Sequence, residues 1–106
     1  MEKPKVFIVC PMADGQSGKW IHDTFVQLGC TCAFFDWRKV TQDRGVQGMN
    51  KELLNAINIL KPNLTLVVKG LGISGNTIKE MKKIHEQSVN AIIIKPFIAY
   101  LIIFAN

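Results

Sequence analysis

Three short segments hold the side chains best suited to chemistry. Asp14, Gly15, Ser17, Gly18 and Lys19 follow the apolar run Val6–Cys10, and Lys69, Gly70 and Gly72 follow the apolar run Leu64–Val68. Asp36 and Arg38 close a third run that begins at Cys30. These types suit the binding of an anion or a sugar. Free backbone N–H groups at a glycine-bearing helix start attract negative charge, and Lys19 adds a cation. A carboxylate at the end of the second strand, where Asp36 stands, is placed to accept a ribose hydroxyl.

More specific phosphate motifs fail on their own residues. A P-loop needs glycine at its first place and Ser or Thr after its lysine; here Ala13 and Trp20 occupy those places. Gly15 and Gly18 supply only the last G-x-x-G of a dinucleotide fingerprint. Ser17 and Ser74 have no evident His–acid partners, so nucleophilic hydrolysis is disfavoured. His22 and His85 read as surface histidines, His85 fitting the carboxyl end of a helix. Cys30 and Cys32 share one face of a strand, but a zinc site needs further ligands that no second pair supplies. The sequence therefore assigns no catalytic residue, no metal site and no cofactor.

Alternating elements must position these groups. Val6–Cys10 (VFIVC) and Leu64–Val68 (LTLVV) are continuous apolar runs, as in strands covered on both faces. Trp20, Ile21, Phe25 and Leu28 repeat at helical spacing from about Gly18, and Gly29 ends that helix. Cys30–Asp36 reads as the second strand and 37–48 as a polar loop. Met49, Leu53, Leu54, Ile57 and Leu60 mark one face of the next helix, which must stop before Pro62. Ser74 or Asn76 can cap a helix from Thr77 to about Gln87, and Val89–Lys95 is a fourth strand.

The resulting βαβαβαβ order predicts one α/β domain: a Rossmann-like or flavodoxin-like three-layer fold with a parallel sheet of order 2-1-3-4. The crossover direction reverses between strands 1 and 3. Ligands bind such sheets at that switch point, outside the carboxyl ends of the strands. The crevice would be lined by Pro11–Gly18 and Lys69–Asn76, with Asp36 beside it. The tail is atypical: Phe97–Phe104 is apolar on every side and reads as a fifth strand or a short helix. It wants burial all round, which points to a homodimer or a missing carboxyl-terminal domain through 97–104.

Composition narrows the classes. With 106 residues and 48% hydrophobic content, the chain can bury a core. Thirteen Lys and Arg against eight Asp and Glu give a net charge of +5. The lysines are scattered, without the interleaved aromatics of a nucleic-acid reader. The run 91–105 is too short for a membrane span and is split by Lys95 and Pro96. An odd number of cysteines and no leader segment point to a reducing cytoplasm.

In order and spacing, one series of residues resembles a known family. It comprises the glycine loop after strand 1, Phe35–Arg38, Met49–Leu54 and Lys61–Gly70. The series is similar to the N-terminal domain of CgeB-like glycosyltransferases, a GT-B group associated with surface or spore-coat glycans, over roughly residues 5–88. The resemblance implies a domain that binds an acceptor or an anionic sugar or nucleotide ligand. In GT-B enzymes the active site lies between two Rossmann-like halves, so a single half is not expected to catalyse transfer alone. Carried over by position, Gly15 and Gly18 approach the substrate, and Asp36, Arg38, Lys69 and Gly70 line the cleft. Two alternatives stand beside it. One is a flavodoxin-like or degenerate receiver-like regulatory module acting through protein contacts, whose Lys95–Phe97 resembles the Lys-Pro of receivers. Pro11 and Lys69 stand where phosphorylation would need acids. The other is a standalone enzyme or nucleotide binder using the same crevice.

Overall fold

Uninterrupted burial identifies the two inner strands. In β1 (Lys5–Val9) and β3 (Leu64–Val68), the last four residues of each are buried without a break. β2 (Thr31–Phe35) lies at the sheet edge and buries only Phe35. The computed structural model describes residues 3–12, 17–84, 90–94 and 101–105. β1 runs parallel to both neighbours, with Val6 opposite Cys32 on one side and Leu64 on the other. The order β2-β1-β3 and its reversal at β1 match expectation.

Alternation along these strands then sorts the core into two layers. Val6, Ile8 and Cys10 join Leu66 and Val68 beneath Ile21 and Phe25 of α1 (Ser17–Gln27). On the other face, Phe7, Val9 and Val67 meet Trp37, Met49, Leu53 and Ile57 of α2 (Trp37–Leu60) and Met81 of α3 (Gly75–Ile84). Burying a side chain such as Leu53 or Ile57 contributes roughly 1.5–3 kcal/mol. The molecule is thus a three-layer α/β domain with three parallel strands and three helices among the described residues.

Two expectations need correction. Residues 37–48 are helical, not a loop. Asp36 is extended (φ −83°, ψ 90°) and its side chain accepts the Lys39 N–H, which starts α2 at once. Gly45 (φ 76°, ψ 174°) kinks the helix, so α2 is two helical segments. Residues 42–47, on both sides of the kink, are exposed, so this stretch looks like a loop in the sequence.

The second correction concerns the sheet beyond β3. β4 (Asn90–Ile94) does not adjoin β3; β5 (Leu101–Ala105) does, and it runs antiparallel to both. The order is β2-β1-β3-β5-β4, so the parallel part has three strands rather than four. An interior position suits the unbroken apolar run of β5 better than an edge would. The tail is therefore a strand over 101–105, while 97–100 and the Lys-Pro at 95–96 lie outside the described residues.

Element ends follow local chemistry. Lys61 takes a left-handed conformation (φ 46°, ψ 61°) and donates its N–H to the Ile57 carbonyl, and Pro62 prevents continuation of α2. Asn63 then clips β3 to β1: its N–H donates to Lys5 O, and its Oδ1 accepts the Lys5 N–H, both at 2.9 Å. Among the described residues no helix is long and apolar enough to cross a membrane.

Candidate functional site at the carboxyl-end rim

Each parallel strand leads into a helix, so the N-termini of α1, α2 and α3 all open on the rim where β1, β2 and β3 end. Asp36 organises one side of it. Its Oδ1 accepts the Lys39 N–H and its Oδ2 accepts the Met12 N–H, each at 3.0 Å. The carboxylate thereby caps α2 and tethers the loop after β1. Sequence reasoning assigned Asp36 to a ligand hydroxyl; in the structure both its oxygens already serve the backbone.

Trp37 performs the matching task on the other side. Its buried Nε1–H donates to Val68 O at 3.0 Å, joining the start of α2 to the end of β3. Arg38 is exposed and sits with its guanidinium 5.4 Å from the Trp37 ring centroid, a cation–π placement. Pro11, Asp36, Arg38, Lys39 and Gln42 line an open cleft between the β1 loop and the first turns of α2. Lys69 and Gly70 do not line it. The described cleft thus lies toward β2, whereas the expected crevice lay between β1 and β3.

Lys69 occupies a strained turn. The Gly70 N–H donates to Val68 O at 2.9 Å across Lys69, whose φ is 68°. This is the rare positive-φ hand of the γ-turn, uncommon for a residue with a side chain. Such outliers cluster where function demands a position, which is why Lys69 stays a candidate. Cys10 lies beneath this rim, and burial pushes its thiol up to about 11, with the Asp36 carboxylate adding to the rise. The positive charges of Lys69 and Arg38 oppose it, so all three charges act on one buried atom. A thiol so protonated is a poor nucleophile.

The glycines divide by role. Gly18 is buried against the end of β1: a Cβ there would stand 2.5 Å from Pro11 O and 2.6 Å from Met12 Sδ. It is a packing glycine at the first turn of α1. Gly72 (φ 86°) faces Val46 and Met49 of α2, and its carbonyl accepts from Asn50 Nδ2 at 2.9 Å. Asn50 Oδ1 also accepts the Ser74 N–H at 2.9 Å, so the loop after β3 is fastened to α2. In the sequence, a lone asparagine gives no signal that it would hold this loop. Ser74 is the α3 cap, its Oγ accepting the Thr77 N–H at 3.1 Å.

Of the remaining predicted residues, Lys19 is exposed on α1 and Ser17 opens that helix, while Asp14, Gly15 and His85 lie outside the described residues. His22 pairs with its neighbour Asp23 at 3.2 Å and stacks edge-on to Phe34, away from the rim groups. The described residues hold no group of three or more metal-ligating side chains. Among them, no buried side-chain nitrogen or oxygen lacks a hydrogen bond. The chain matches no protein-family model, no curated protein and no solved structure.

Proposed function

We propose that this chain is a Rossmann-like binding domain of the type found as the N-terminal half of GT-B glycosyltransferases. In this reading it holds an acceptor or an anionic sugar or nucleotide ligand at the carboxyl-end rim, without completing transfer by itself. One observation carries the reading. Arg38 and Lys39 line the cleft at the start of α2, Lys69 at the end of β3 acts with Arg38 on the same buried Cys10, and the carboxylate in the cleft, Asp36, is bound to two backbone N–H groups. Helix starts and cations together favour a negatively charged ligand over a cationic one. The β2-β1-β3 order supplies the switch point that such ligands use.

The test is a thermal-shift and calorimetric panel of nucleotides, sugar nucleotides, sugar phosphates and neutral glycans. A ligand present at 100 times its dissociation constant adds about 2.7 kcal/mol of apparent stability. Binding of an anionic member, weakened by Lys69→Ala or Arg38→Ala, is the expected result. A panel with no binder at millimolar concentration would overturn the reading.

One observation favours a second reading, a regulatory module acting through protein contacts. Trp20 and Leu28 lie two turns apart on one stripe of α1 and its last turn, and each is 72% exposed. Concentration-dependent association that Trp20→Ser abolishes would favour it.

A further inference from the structure

A separate pair of side chains lies at the opposite edge of the sheet from β4. Cys30 and Cys32 flank Thr31 at the start of β2, the edge strand, which among the described residues pairs with β1 alone. Both pack against the same apolar layer beneath Ile21 and Phe25, so both thiols lie on the α1 face of the sheet. Both are free and half-buried, within reach of small solutes. The Cys30 N–H donates to Phe25 O at 3.0 Å, which fixes the first cysteine to the end of α1. Cys32 Sγ leans back along the strand to 3.9 Å from the Cys30 carbonyl and 3.9 Å from the His22 carbonyl.

The missing partners define the ligand. With two sulfurs and no third ligating side chain in range among the described residues, tetrahedral zinc has half of the donors it needs. Hard cations need several oxygens, and the acids of this face do not converge here. Soft thiolate pairs select copper(I) among the common biological metals. We propose that Cys30 and Cys32 together bind one copper(I) ion as a two-coordinate bis-thiolate, independently of the rim site. Two S–H bonds break and two Cu–S bonds form; both protons pass to solvent and copper keeps its oxidation state. Because each thiol must lose its proton to bind, protons compete with the metal, and copper affinity climbs with pH.

The experiment is an anaerobic titration of the reduced full chain with copper(I) against a chromophoric competing chelator. One ion per chain and two protons released per ion are expected, with zinc(II) failing to bind in a parallel titration. Cys30→Ser and Cys32→Ser should each weaken copper binding by more than about tenfold, while Cys10→Ser leaves it unchanged. Circular dichroism checks that each variant is folded, and the proton count of the unmodified chain stands without any variant. Absence of copper binding, release of fewer than two protons, or equal binding by either serine variant would overturn the proposal.

Discussion

The Asp36 carboxylate accepts the Met12 N–H at 3.0 Å across 24 residues of sequence, and so locks the loop after β1 to the start of α2. Its other oxygen caps the helix through Lys39. Removing both bonds in Asp36→Ala costs a cap, typically about 1 kcal/mol, and a charge-assisted bond of similar or larger worth. The expected loss is about 2–3 kcal/mol in urea unfolding. Asp36→Asn keeps an N-cap acceptor of comparable quality but loses the charge, so about half that loss is expected. Equal losses for the two variants would show that the cap on Lys39 contributes little, and a neutral Asp36→Asn would show the same of the tether to Met12.

Gly18 makes a sharper prediction. A methyl group at this position meets Pro11 O at 2.5 Å, a backbone atom that cannot swing aside, as well as Met12 Sδ and Cys10 Sγ. Gly18→Ala should destabilise by about 1–3 kcal/mol despite the better helix propensity of alanine. The comparison is Gly75→Ala, where nothing lies within 4 Å and φ is not in the left-handed region. That variant should be neutral or slightly stabilising in thermal unfolding. A stable Gly18→Ala would mean that α1 can ride up off β1.

How much of this was legible in residues alone differs by element. β1 and β3 announced themselves because burial on both faces demands unbroken apolar runs, and Pro62 with Gly70 punctuated the second of them. The first half of α2 did not, because a helix segment with one buried face residue, Trp37, carries no apolar period for the eye to find. Its start lay in Asp36, which reads equally well as a cap or as a ligand group. The position of β5 was illegible for another reason. Apolar runs say that a strand is central, but strand direction depends on connections rather than on composition. At the rim, residue type pointed to Asp36, Arg38 and Lys69, of which Asp36 and Arg38 line the described cleft and Lys69 does not. It could not reveal that Asp36 serves the backbone or that Asn50 holds the Gly72 turn.

Lys69 should separate stability from binding. A side chain at φ 68° costs about 1–2 kcal/mol relative to the right-handed region, and glycine escapes that cost. Glycine also loses more chain entropy on folding, by roughly 0.5–1 kcal/mol. Lys69→Gly is therefore expected to be neutral to about 1 kcal/mol more stable, while Lys69→Ala keeps the strain and gains nothing. Both should lose affinity for an anionic ligand equally, because both remove the ammonium. Retained affinity in Lys69→Gly would transfer the recognition role to Arg38 and Lys39.

Cys10 predicts an alkaline weakness. Its thiol is held up from an ordinary 9.0 to about 11, chiefly by burial and then by Asp36. Between those values the unfolded chain has lost the proton while the folded chain keeps it, so folding stability falls as pH rises. The contribution is intact below about pH 9 and is spent by about pH 11, and a two-unit shift corresponds to about 2–3 kcal/mol at most. Urea unfolding of the native chain and of Cys10→Ala at pH 8 and again near pH 11 isolates this group. Titrating lysines affect both chains alike, whereas only the native chain carries the thiol. The native chain should lose about 2 kcal/mol more than the variant across that interval. Parallel losses would mean that water reaches Cys10 Sγ, and that the rim above it is looser than the 3.0 Å bonds of Asp36 and Trp37 imply.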